Sequence, residues 1–246
     1  MKLGVTAYSL ARQLREGKMD VFNVIDWIAD QGGEHVEIAP GNYIDMEEPE
    51  LPERIREHAS RRGLFVSNYA VGGNFVEGEV DTLEREIEQV IHQVDIAHRL
   101  GVSRMRHDAA WRAREETTPA QFEADLERIV GACRRIADYA APLGITTSVE
   151  NHGFHVQSSE RVLRLIHEVD RPNFRLTMDI GNFMCADESS VAAVKRAIPY
   201  ASMIHLKDFY LRPSYRDPGK GWFRTRTGDY LRGAILGNGD IELWEV

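Results

Sequence analysis

Short apolar runs alternate with longer amphipathic stretches along almost the whole of this 246-residue chain. The strand-like runs fall near residues 2–9, 35–39, 65–71, 103–109, 145–151, 174–180 and 201–208, with helical patterns between them. Strands separated by helices pair in parallel, because each crossover carries the chain back to the end where it began. The repetition predicts one α/β domain over residues 1–246, a (β/α)8 TIM barrel. About seven strands are legible rather than eight, so the barrel is expected to be incomplete at its C-terminal end. A closing helix, strand and final helix would add roughly 30–50 residues.

Two periodicities support this architecture. Across 81–100, Leu83, Ile87, Val90, Ile91, Val94 and Leu100 recur at helical spacing and form one apolar stripe. In the strands the period is two. Val36 and Ile38 share one face of HVEIA while His35 and Glu37 share the other, Thr177 pairs with Asp179 in LTMDI, and Met203, His205 and Lys207 fall together in SMIHLKD. One face of each strand is therefore too polar for ordinary core.

A formal net charge of −9 argues against a broad nucleic-acid surface, since acidic patches repel phosphate, and points to a small-molecule partner. No apolar run is long enough to span a bilayer, so no membrane partner is expected. Met1 leads straight into LGVTAYSL without a basic stretch and apolar leader, which predicts a cytoplasmic protein. Cys133 and Cys185 lack any CxxC spacing and are expected to be buried, reduced thiols. Residues 210–240 show no period and are read as an active-site loop, with Trp222 as a lid residue and Arg224, Arg226 and Arg232 as anion-binding candidates. A homo-oligomer is compatible with all of this.

Glu150, Asp179 and His205 end three successive strands, 29 and 26 residues apart, one βα unit per step. In a barrel such ends converge on one mouth, and two carboxylates with an imidazole suit one divalent cation: Mn²⁺ first, with Mg²⁺, Co²⁺ or Zn²⁺ as alternatives. Taken singly each has a plainer role, as a helix cap, a turn residue or a hydrogen-bonded histidine. A cation of this kind polarises a ketone beside a hydroxyl, and a placed carboxylate removes the neighbouring proton, which makes Glu150 the candidate base. Glu37, His107, His152, Asn182 and Lys207 are candidate substrate-binding residues. The first two end strands, His152 and Asn182 follow strand ends, and Lys207 should point inward beside His205.

VENHG at 149–153, MDIGNF at 178–183 and IHLKDF at 204–209, in that order, resemble the xylose isomerase-like TIM barrel superfamily of sugar phosphate isomerases and epimerases. The resemblance runs from the first strand to GNGD at 237–240. It implies Glu150, Asp179 and His205 as metal ligands, with a further glutamate from an eighth strand that has no match here. Many relatives carry histidine where this chain has Asn182, which leaves substrate choice open. The function implied is a metal-dependent isomerase or epimerase of a sugar or sugar phosphate acting through an enediolate. The alternatives are a dehydratase of the inosose or dehydroshikimate type and a catalytically degenerate sugar-binding barrel.

Overall fold

A computed structural model describes residues 2–246. Seven strands, β1 (Gly4–Thr6), β2 (His35–Ile38), β3 (Phe65–Val71), β4 (Arg104–His107), β5 (Thr146–Glu150), β6 (Phe174–Asp179) and β7 (Ala201–His205), pair in sequence order, each neighbouring pair parallel. The sheet curls into part of a (β/α)8 barrel, with β1 and β7 at its two edges. Between the strands run α1 (Ala11–Arg15), α2 (Val21–Asp30), α3 (Leu51–Arg61), α4 (Val80–Arg99), α5 (Pro119–Ala140), α6 (Ser159–Val169), α7 (Asn182–Cys185) and α8 (Ser190–Ala197). Among the described residues, no helix is long and apolar enough to cross a membrane.

The helices start where local chemistry caps them. Asp20 and Asn23 exchange side-chain and backbone hydrogen bonds at the head of α2, and Thr118, Ser158 and Ser189 accept amide hydrogens at the heads of α5, α6 and α8. The stripe predicted on α4 faces the sheet, with Ile87, Val90 and Val94 buried. Outward strand residues Val36, Ile38, Val149, Leu176 and Met178 are fully enclosed against Ile25, Ile55, Ile129 and Ile136 from the helices. Each such side chain contributes about 1.5–3 kcal/mol by leaving water. Cys133 and Cys185 are buried free thiols, as expected.

Two strand ends and one long segment differ most from the sequence expectation. The first strand stops at Thr6, whose hydroxyl accepts from the Tyr8 amide at 3.3 Å and turns the chain into a 3-10 turn over Ala7–Leu10. The seventh stops at His205, so Lys207 lies beyond the strand. Residues 210–240 are not an irregular loop. β8 (Asp208–Arg212), β9 (Phe223–Arg224) and β10 (Tyr230–Ala234) form an antiparallel sheet in the order β8-β10-β9, with its own small core of Phe209, Leu231 and Ile241 packed on Met184 and Cys185.

That cap is fastened through Asp208. Its buried carboxylate accepts amide hydrogens from Phe209 at 2.9 Å, Gly237 at 3.0 Å, Gly239 at 2.8 Å and Ile241 at 3.3 Å. Gly239 is required there, since a Cβ would sit 2.1 Å from Asp208 Oδ1. Of the arginines singled out as anion-binding candidates, two are engaged within the protein. Arg224 stacks on Tyr230 with 4.2 Å to the ring centroid, and Arg226 donates to the Ala186 carbonyl at 3.3 Å, while Arg232 is exposed. Trp222 is half-buried beneath the Arg212 guanidinium, 5.7 Å from its ring.

Candidate metal centre

Strand register decides which side chains share the barrel interior. Arg106 lies opposite Ser148, Glu150 opposite Thr177, and Asp179 opposite His205. Paired residues of parallel strands point the same way, so these form one polar interior face. Ser148 and Thr177 seal its lower layer with a 2.8 Å hydroxyl contact. Above them, ligand atoms of Glu150, Asp179 and His205 all lie within 4.8 Å of one another. Two carboxylate oxygens and an imidazole nitrogen at that separation suit a divalent cation of intermediate hardness, so the donor set fits the metal expected from the sequence.

Each of the three is held by further contacts. Glu150 Oε1 accepts from Asn182 Nδ2 at 3.0 Å, and Oε2 is 2.7 Å from Arg106 Nε. Burial alone would raise this carboxyl, but Arg106 and then His205 outweigh it and hold it well below the usual carboxylate range. Asp179 Oδ1 accepts from the amides of Gly181 at 2.9 Å and Asn182 at 3.0 Å, while Oδ2 faces Lys207 Nζ at 2.8 Å. The Asn151 side chain brackets the Asp179 backbone, donating to its carbonyl and accepting from its amide, both at 2.8 Å. His205 places Nδ1 3.8 Å from Glu150 Oε1 and Nε2 2.9 Å from Glu37 Oε2. Burial works against its protonation, yet Glu150 and Glu37 raise its pKa to about 10.

Lys207 reaches this group from beyond β7, over Gly181, where a Cβ would come within 2.4 Å of its stem. Its ammonium also donates to Asn182 Oδ1 at 3.0 Å. Burial opposes the charge, but Asp179 raises the lysine pKa and keeps it cationic. His152 stands at the rim, half-exposed, with Nδ1 3.2 Å from Asp108 Oδ1, and Asp108 also meets Arg106 Nη2 at 2.9 Å.

Of the residues singled out in the sequence, Glu37, Glu150, Asp179, Asn182, His205 and Lys207 meet directly, and His152 joins them through Asp108 and Arg106. His107 does not. It lies opposite Val149, which lies opposite Leu176, so it faces the helix layer, with no exposed surface, among Phe75 and Phe174. Its neighbour Arg106 takes the interior position. Strand parity in RMRH carries that signal, because the residue that shares a face with Ser148 and Glu150 is Arg106. Asn151 and Asp108 carry no comparable signal.

The model of the xylose isomerase-like TIM barrel family matches residues 25–241. No curated protein matches the chain. Among solved structures, it is similar to the probable 3-DHS dehydratase AsbF of Bacillus anthracis, involved in petrobactin synthesis, at 19% identity and a TM-score of 0.75 over 100% of this chain and 87% of that one. A xylose isomerase-like TIM barrel protein from Mycobacterium smegmatis in complex with magnesium is similar at 16% identity and a TM-score of 0.69, covering 98% of this chain and 83% of that one. A D-psicose 3-epimerase in the presence of D-fructose is similar at 18% identity and a TM-score of 0.66, covering 81% of this chain and 72% of that one. At such identities these likenesses establish the fold. With its parallel, helix-covered sheet and a family match over residues 25–241, the chain belongs to the xylose isomerase-like TIM barrel family.

Proposed function

We propose that this protein is a metal-dependent isomerase or epimerase of a small polyhydroxylated carbonyl compound, a sugar or sugar phosphate. The observation that carries the reading is the convergence of Glu150, Asp179 and His205 within 4.8 Å at the barrel mouth. These residues would hold the cation, with Mn²⁺ the first to be tried. When bound, it would polarise the substrate carbonyl and lower the cost of the enediolate formed by loss of the neighbouring proton.

The side chains divide the remaining work. Arg106 holds Glu150 as an anion of low basicity, which favours a ligand role for that carboxylate over the proton-accepting one expected from the sequence. His152 is the freer base, half-exposed and oriented by Asp108 through Nδ1, so that Nε2 is left to take the proton from carbon. Lys207 supplies a fixed cation beside the developing oxyanion, and Asn182 offers an amide to a hydroxyl.

The His152–Asp108 pair also favours a second reading. A group that takes the α-proton can hand it to a departing β-hydroxyl; the C–H and C–O bonds break, a C=C bond forms, and water leaves. Incubating the Mn²⁺-loaded protein with ketoses and their phosphates in D₂O separates the outcomes. Deuterium at the carbon beside the carbonyl with unchanged skeleton mass supports isomerisation, and loss of water supports dehydration. Wash-in that persists undiminished after the metal is stripped overturns the metal-dependent reading.

A further inference from the structure

We propose that Glu37 is a positioning residue that fixes the imidazole of His205 so that Nδ1 faces the metal; this rests on the metal centre proposed above. Glu37 is 3% exposed on β2, and its Oε2 meets His205 Nε2 at 2.9 Å. It is itself secured by Asn68, which has no exposed surface and donates through Nδ2 at 2.7 Å to the same oxygen.

The geometry requires such a partner. His205 ends β7, and its pairing with β6 sets where the Cβ points. Backbone pairing leaves the imidazole free to turn about χ2. A half-turn of the ring would exchange Nδ1 for Cδ2, a carbon that cannot coordinate. Donation from Nε2–H to Glu37 forbids that half-turn, and it leaves Nδ1 as the nitrogen on the side of Glu150, 3.8 Å from its Oε1 and free to release its proton to a cation. Glu37 stands beyond the distal nitrogen, on the side of the ring away from Glu150. That location suits an outer support of the ligand rather than a fourth ligand or a hydroxyl-binding group.

Isothermal titration of Mn²⁺ into the chelator-stripped full-length protein tests this, with wild type, Glu37→Ala and Glu37→Gln compared. Thermal unfolding of each in EDTA separates loss of fold from loss of affinity. Glu37→Ala is expected to bind about 10–100-fold more weakly than wild type. Glu37→Gln should recover most of that loss, because an amide oxygen still accepts the Nε2 hydrogen. Equal affinities for wild type and Glu37→Ala overturn the proposal. So does a folded Glu37→Gln as weak as Glu37→Ala, or a Glu37→Gln that shifts KM while leaving Mn²⁺ affinity unchanged. If Glu37→Ala does not fold, Asn68→Ala, which keeps the carboxylate but removes its anchor, should still weaken Mn²⁺ binding, and unchanged affinity there overturns the proposal. Wild type that binds no Mn²⁺ overturns the metal centre itself, an outcome visible before any variant is compared.

Discussion

Arg106 on β4 reaches Glu150 on β5 with Nε 2.7 Å from Oε2, while its Nη2 lies 2.9 Å from Asp108. One guanidinium thus neutralises two carboxylates, one of them among the most enclosed charges in the barrel. Arg106→Met would leave both without their cation and is expected to cost about 3–5 kcal/mol of stability. Arg106→Lys should recover only part, since an ammonium cannot serve both acids in the forked geometry. Urea unfolding of the three proteins measures this, and a loss under about 1 kcal/mol for Arg106→Met would mean that the pairing is worth no more than an exposed one.

Metal content gives the most direct test of the three converging side chains. Purified protein dialysed against Mn²⁺ and then metal-free buffer should retain about one ion per chain, the capacity of one such donor set. His205→Ala, which removes the only nitrogen ligand of the group, should lose it, as read by elemental analysis. Equal retention by the variant would place the ion elsewhere.

His107, buried outside the site, makes the fold sensitive to acid. Burial pushes its pKa down to about 4. The unfolded chain takes up this proton near pH 6.5 and the folded one only near pH 4. Stability is therefore fully present above pH 6.5 and falls as pH drops through that window, by up to about 3 kcal/mol from this residue alone. His107→Gln should lose correspondingly less stability between pH 7 and pH 4.5 in urea titrations. Parallel losses in the two proteins would assign the acid sensitivity to other groups.

Asp208→Ala removes the acceptor of four amide hydrogens at once. Buried donors without partners cost about 1–3 kcal/mol each when water cannot replace the lost oxygen, so the loop 235–241 should detach from the cap. Faster hydrogen exchange at Gly237 and Gly239, with α4 and α5 unchanged, is the expected outcome. Exchange rates equal to wild type would show that the β8–β10 pairing alone holds the cap.

The convergence of Glu150, Asp179 and His205 was legible because strand ends one βα unit apart meet in any barrel, whatever its loops do. Their neighbours were harder to see. Arg106 and His107 are adjacent, and choosing between them needs the strand's parity relative to β5, which becomes certain only with the register. Glu37 was singled out as a strand-end residue, but its contact with His205 joins positions 168 residues apart and has no sequence signature. The cap escaped because its strands are two to five residues long and pack against each other over a small core, so no period has room to develop. Asn151 acts through its amide on another strand's backbone, a role that any residue pattern leaves invisible.

That last contact bears on how the mouth moves. By giving and taking a hydrogen bond with the Asp179 main chain, Asn151 adds one more rung above the β5–β6 pairing, at the level of the two carboxylates. Opening a gap between these strands means breaking ladder and rung together, so thermal breathing there is confined to the rare excursions of a cooperative unit. Glu150 and Asp179 should therefore drift as one body, holding the distance between their carboxylates while the loops around them move.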